Sequence, residues 1–163
     1  MKTLYLVRHA KSDRGHEELA DIDRPLNQRG YLDAHTMSAR FRDQFGMPDC
    51  ICASPAIRAF STALIFCRNI GFPAARLGIE ERIYEASVET LMNLVAETDD
   101  RHSSLMLFGH NPAITHLANT FARAGIDNVP TCGIVAIRFE VFAWMNTRAG
   151  GGACISFDFP KKR

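Results

Sequence analysis

Three short apolar runs are each followed at once by side chains that can handle a phosphate. Arg8-His9 follows Thr3-Leu4-Tyr5-Leu6-Val7, Ser54 to Arg58 follows residues 49–53, and Gly109-His110-Asn111-Pro112 follows Ser104-Leu105-Met106-Leu107-Phe108. A phosphoryl group is an anion with its oxygens spread around phosphorus, and its transfer depends on positioning and charge stabilisation. Arginine offers a planar fork of donors that never deprotonates. A neutral imidazole nitrogen attacks phosphorus, which makes His9 the candidate nucleophile. Guanidinium charge nearby should favour its neutral form. The second imidazole, His110, can hold an equatorial oxygen as charge develops. A helix beginning after Asn111 adds a favourable dipole.

These groups need elements to position them. Residues 3–7 read as a strand buried on both faces. Residues 10–26 are polar and read as a long loop. Asn27 can cap a helix running to about Phe45, with Ala34, Met37, Phe41 and Phe45 on one face and Gly46 and Pro48 ending it. A strand at 49–53 leads to a helix from about Pro55, striped by Phe60, Leu64, Cys67 and Ile70 and stopped by Gly71. Residues 76–84 carry a weak strand pattern, and Ser87 can cap a helix bearing Leu91, Leu94 and Val95. The strand at 104–108 leads to a helix with Asn111 as N-cap, Pro112 at the first position and a stripe of Ile114, Leu117, Ala118 and Phe121. Alternation at 133–141 and 153–159 marks two strands joined by a Gly-rich connection at 149–152.

The expected fold class is therefore α/β: a three-layer sandwich with a mostly parallel central sheet flanked by helices, and antiparallel strands near the C-terminus. In such sheets ligands bind outside the carboxyl ends of the strands. That rule brings Arg8, His9, Arg58 and His110 to one edge.

Composition limits the function classes. With 163 residues and 47% apolar content, the chain fits one domain, residues 1–163. The net charge of +1 gives no global pull toward nucleic acid or anionic membrane, so selectivity for an anion must be local. The odd set Cys50, Cys52, Cys67, Cys132 and Cys154 reads as free thiols in a reducing compartment. With no signal peptide and no apolar span in view, the expectation is a soluble cytoplasmic protein. The histidines lack metal-ligand spacing, and no metal or other cofactor is expected.

Leu6-Val7-Arg8-His9-Ala10-Lys11-Ser12 resembles the signature of the histidine phosphatase superfamily, which includes the phosphoglycerate mutases. The rest is similar to its short SixA-type phosphohistidine phosphatase branch. The matching stretches are Asp21 to Gly30, Ser54-Pro55-Ala56-Ile57-Arg58-Ala59 with Thr62-Ala63, Tyr84-Glu85-Ala86-Ser87, and Gly109-His110-Asn111-Pro112. They cover nearly the whole chain in the family's order.

The resemblance implies a phosphoglycerate mutase-like fold and a phosphohistidine intermediate on His9. Arg8, Arg58 and His110 would line the phosphate pocket, Asp21 and Arg24 would contribute to its rim, and Asn111 would help orient His110. Ala10 replaces the glycine of the usual Arg-His-Gly signature, as is common in the short branch. Larger members carry an acidic glutamate on an inserted segment; this chain has no long insertion, and Glu85 lies in the matching region as the candidate general acid. The implied partner is a phosphorylated protein, a histidine phosphotransfer domain being the family's best-known case, or a small phosphate ester.

Competing readings are weaker. Cys52 to Arg58 has the Cys-x5-Arg spacing of cysteine phosphatases, but Pro55 removes an amide that such a loop needs, and Cys52 reads as strand packing. Asp21-Ile22-Asp23 lacks the buried strand that aspartyl phosphatases use. Lys161-Lys162-Arg163 reads as a solvated terminus. Mutase chemistry needs a more closed pocket than this short chain provides. The alternative from another class is a phosphate-binding regulatory module with weak catalysis, against which the intact nucleophile stands.

Overall fold

The computed structural model describes residues 1–162. Ten elements follow in chain order: β1 (Lys2–Arg8), α1 (Gln28–Phe45), β2 (Cys50–Ala53), α2 (Ile57–Ile70), β3 (Gly78–Ile79), α3 (Val88–Ala96), β4 (Ser104–Gly109), α4 (Ala113–Ala122), β5 (Ile134–Phe139) and β6 (Gly152–Asp158). The six strands form one sheet in the order β3-β2-β4-β1-β5-β6. Its first four strands are parallel. β5 and β6 run antiparallel beside them. This is the expected mostly parallel α/β sandwich with an antiparallel C-terminal margin.

β1 lies inside the sheet and alternates its side chains between two cores. Tyr5 and Val7 join Met37 and Phe41 of α1, Phe66 of α2 and Phe108 of β4. Leu4 and Leu6 join Leu91 of α3, Leu117 and Phe121 of α4, and Trp144. Leu4 to Val7 are covered on both faces and leave no place for charged side chains, which is why the chemistry begins at Arg8, the last residue of the strand. Cys52 belongs to the packing of the second core and lies outside the site described below. Burial there pushes its thiol well above the ordinary range, leaving it a poor nucleophile.

Local signals hold at several helix ends. The Asn27 side chain accepts the Gly30 N–H, and that of Ser87 accepts the Thr90 N–H. Replacing such a cap by alanine costs about 1 kcal/mol. Gly71 ends α2 at φ 91°. Gly30 serves a second purpose, because a side chain there would run into the Lys11 carbonyl. The start of α1 thereby lies against the loop that follows the nucleophile.

Three expectations need correction. The weak pattern at 76–84 resolves into the short β3 and a 3-10 turn at Glu81–Ile83. α2 buries Ala59, Thr62, Ala63 and Phe66 along with Cys67 and Ile70, leaving Phe60 and Leu64 half-buried. Small residues on that face let the helix approach the sheet closely, and a stripe traced only through large apolar residues misses them. α4 begins at Ala113, one residue beyond the expected first position, with Asn111 reaching it by a side-chain bond to the Thr115 N–H.

Candidate active site

The carboxyl ends of β1, β2 and β4 meet at a cavity of about 450 Å³. Its lining includes Arg8, His9, Arg24, Arg58, His110 and Asn111, so six of the eight residues singled out in the sequence come together there. The lining also carries Lys11 and Arg14, while its one carboxylate is Asp13. A chain of net charge +1 thus concentrates five cations around one concavity.

His9 is nearly buried, with 8% of its surface exposed. Its Nδ1 lies 2.7 Å from the Ala10 carbonyl. A carbonyl only accepts, so Nδ1 carries the proton and Nε2 keeps its lone pair for attack. Thr62 fixes that carbonyl's residue in turn: its Oγ1 accepts the Ala10 N–H at 3.0 Å and donates to the Arg58 carbonyl at 2.7 Å. One threonine therefore ties the residue beside the nucleophile to the turn of α2 that bears Arg58. Burial pulls the His9 pKa down to about 3, with the charges of His110, Arg58 and Arg8 acting in the same direction. The sequence points to the guanidinium groups as the cause; the fold makes loss of water the larger one.

Arg8 ends β1, and its Nη1 donates to the Val129 carbonyl at 3.0 Å. Arg58, 6% exposed in the first turn of α2, donates from Nη1 to the Asp21 carbonyl at 2.7 Å and from Nη2 to Asp21 Oδ2 at 3.0 Å. The Nε of each arginine is buried without a protein partner among the described residues. Each wall of the cavity thus holds a fixed guanidinium with donor capacity left over, as an oxyanion site requires.

His110 follows β4, with its ring centroid 5.2 Å from that of His9. Its Nε2 lies 2.8 Å from Ser54 Oγ, and its Nδ1 is buried without a protein partner among the described residues. Burial first, and then the Arg58 charge, lowers its pKa to about 4. Both imidazoles are consequently neutral near pH 7.

Asp21 sits outside the lining and braces it. Its carboxylate accepts from Tyr84 Oη at 2.6 Å, from Arg58 Nη2 at 3.0 Å and from Arg24 Nη2 at 3.1 Å. The Tyr84 hydroxyl, followed by the two arginines, holds this carboxyl well below the usual range. Arg24 also donates to Ser12 Oγ, and the backbones of Ser12 and Leu26 bridge in antiparallel fashion. The long polar loop is thereby folded onto the cavity.

Asn111 lines the cavity, yet its amide is fully engaged elsewhere. It donates to Asn128 Oδ1 and the Val129 carbonyl and accepts from Thr115, with no hydrogen bond to His110. It therefore braces the Val129 turn that receives Arg8, rather than orienting the second histidine as expected. Glu85 is exposed at φ 55° and lies outside the lining. Tyr84 bonds Asp21, Ala86 packs against the second core and Ser87 caps α3, while Glu85 among them is exposed. The burial expected of a general acid is absent there.

Sequence reasoning assigned no role to Ser54, Thr62 or Tyr84. Thr62 carries a readable signal, since four residues after Arg58 is one helical turn on the same face. Tyr84 has none, because its partner is 63 positions away. Among the described residues, no group of three or more His, Cys, Asp or Glu side chains forms a metal cluster. No described helix is long and apolar enough to cross a membrane.

Comparison with known proteins agrees with this geometry. Residues 4–115 match the family model of the histidine phosphatase superfamily, branch 1. An uncharacterised protein of Mycobacterium tuberculosis is 30% identical over 95% of this chain and 100% of its own length. The SixA protein of Agrobacterium tumefaciens, described as a candidate phosphohistidine phosphatase, superposes with a TM-score of 0.82 at 25% identity, covering 96% of each chain. The protein histidine phosphatase SixA, solved with tungstate, has a TM-score of 0.81 at 17% identity over 97% of each chain.

Proposed function

The chain belongs to the histidine phosphatase superfamily, in its short SixA-type branch, and is a phosphatase; from that premise we propose that it works without a metal, through a phosphohistidine formed on His9. The observation that carries this is the Nδ1–H bond to the Ala10 carbonyl, which leaves Nε2 unprotonated beside two fixed arginines. Nε2 attacks phosphorus as the bond to the leaving group breaks. Arg8, Arg58 and His110 hold the oxygens on which charge collects. Water then attacks the phosphohistidine and releases inorganic phosphate, returning His9 to its neutral state.

We further propose that the substrate is phosphohistidine on another protein, with a small phosphomonoester as the second possibility. The cavity has no inserted lid, and its rim residues Lys11 and Arg14 are exposed. Glu85, the candidate acid, is directed to solvent. An imidazole leaving group departs with little help from an acid, whereas an alkoxide needs more. A fold neighbour solved with tungstate, a tetrahedral oxyanion, is consistent with such a pocket. The five cysteines are free, which suits a cytoplasmic place of action.

The decisive experiment is phosphate release from an aryl phosphate and from a phosphohistidine protein, in chelator, by wild type, His9→Ala and Cys52→Ser. Wild type and Cys52→Ser should turn over, His9→Ala should not, and acid-labile, base-stable label should be trapped only on proteins that keep His9. Turnover by His9→Ala would remove the proposal. Loss with chelator and recovery with Mg²⁺ would remove its metal-free part. Tight phosphate binding with no turnover of either substrate would favour the regulatory-module reading.

A further inference from the structure

Ser54 is fully buried at the end of β2, where its backbone N–H donates to the Phe108 carbonyl of β4. Its hydroxyl oxygen accepts the Ala56 N–H at 3.2 Å and lies 2.8 Å from His110 Nε2. The hydroxyl hydrogen has no other acceptor among the described residues than that nitrogen. His110 itself is a neutral ring with one N–H to place.

Two arrangements are possible, and the donor count separates them. With the proton on Nε2, that N–H donates to Ser54 Oγ. The serine hydrogen is then buried without an acceptor, and Nδ1 becomes a bare lone pair on a ring that lines a phosphate cavity. With the proton on Nδ1, the serine hydroxyl donates to Nε2 and every group on this side is satisfied. The buried and otherwise unpartnered Nδ1 then becomes a donor.

We propose that Ser54 is a positioning residue that holds His110 in its Nδ1–H form, so that this N–H is the donor offered to the phosphoryl group. This rests on the placement of that group between Arg8, His9 and Arg58. The device is the counterpart of the one at His9. There a carbonyl, which can only accept, draws the proton to Nδ1 and frees Nε2 as nucleophile. Here a hydroxyl, which can donate, occupies Nε2 and makes Nδ1 the donor. Two similar rings in one cavity are thereby set to opposite tasks by the chemistry of a single neighbour each.

The test reads the tautomer directly. Long-range proton–nitrogen correlation on protein labelled with ¹⁵N-histidine, near pH 7.5, reports which nitrogen of each ring is protonated, and His110→Gln identifies the signal. The expected result is Nδ1–H for His110 in wild type. In Ser54→Ala, Nε2–H should grow in while kcat on an aryl phosphate falls about tenfold or more, with KM changed less than threefold; one oxyanion donor is typically worth more than this. Ser54→Thr, which keeps a hydroxyl, should restore both readouts. Nε2–H in wild type would overturn the proposal, as would a Ser54→Ala protein with unchanged tautomer and turnover. Failure of the His9 phosphatase proposal would show instead as turnover by His9→Ala, leaving the His110 signal unaffected.

Discussion

The two walls of the cavity use the same side chain and secure it by different means. Arg8 is held by the Val129 carbonyl, in a turn that also receives its backbone: Arg8 N–H donates to Gly133, and Cys132 N–H donates to the Arg8 carbonyl. Arg58 is held by Asp21, a residue whose side chain is 55% exposed and which is shared with Arg24 and Tyr84. The first wall is neutral, backbone-made and continuous with the sheet. The second joins one bond to the Asp21 carbonyl with an ionic cluster of side chains from three separate segments, whose carboxylate is open to water. Charge partners in solvent are screened and contribute little to stability, whereas buried backbone bonds are insensitive to salt and pH. The Arg8 wall should therefore be the less sensitive to salt and pH, and the Arg58 wall the more sensitive.

The largest expected effect comes from replacing the fork on either wall. Arg58→Lys and Arg8→Lys should each reduce kcat/KM by about 100-fold or more, since a point charge cannot make two directed bonds. Arg8→Lys should lower the unfolding midpoint more than Arg58→Lys, because the carbonyl it serves belongs to the buried Val129 whereas the one served by Arg58 belongs to the exposed Asp21. Near-normal turnover by either variant would take that arginine out of the pocket, and equal stabilities would erase the contrast between the walls.

Acid should act on what the walls share before it acts on either. His9 and His110 have folded pKa values of about 3 and about 4, below the ordinary 6.5. Between those limits the unfolded chain binds more protons, so stability rises with pH in that window and is lost as pH falls from 6.5 toward 4. Unfolding midpoints across that range should show the decline, with a smaller slope in His9→Gln. The Asp21 contact, whose carboxyl is held below its ordinary 3.8, should survive until the solution is more acidic still. A flat profile would mean that the two rings are solvated.

The smallest effect separates Asp21 from Glu85, two carboxylates outside the cavity lining. Asp21→Asn should reduce kcat/KM by about tenfold and make it less sensitive to salt, because Arg58 loses its ionic brace. Glu85→Gln should change turnover of phosphohistidine protein by less than about twofold. A large loss on aryl phosphate with Glu85→Gln would restore it as general acid.

Much of this was legible in the residues. Periodicity gave α1 and its Asn27 cap, the buried strands β1 and β4, and the antiparallel end formed by β5 and β6. Strand-end placement brought Arg8, His9, Arg58 and His110 together, because those positions depend only on where an apolar run stops. Short range failed where contacts join distant parts of the chain. Glu85 resembled an acid by its region, yet it lies exposed at φ 55° while its neighbour Tyr84 reaches Asp21, 63 positions away. Asn111 stands next to His110 in sequence, yet its amide is taken by Val129 and Thr115.

What the sequence by itself determined is the kind of chemistry: a histidine among arginines suits an anionic phosphoryl group wherever the fold brings them together. What only the tertiary structure decided is the state of each group. Burial sets the charge of His9 and His110, and a single neighbour, Ala10 carbonyl or Ser54 hydroxyl, sets which nitrogen holds the proton. The physical reason is that residue type carries the available donors and charges, while their energies depend on the water excluded and the partners met, which exist only once the strands are side by side.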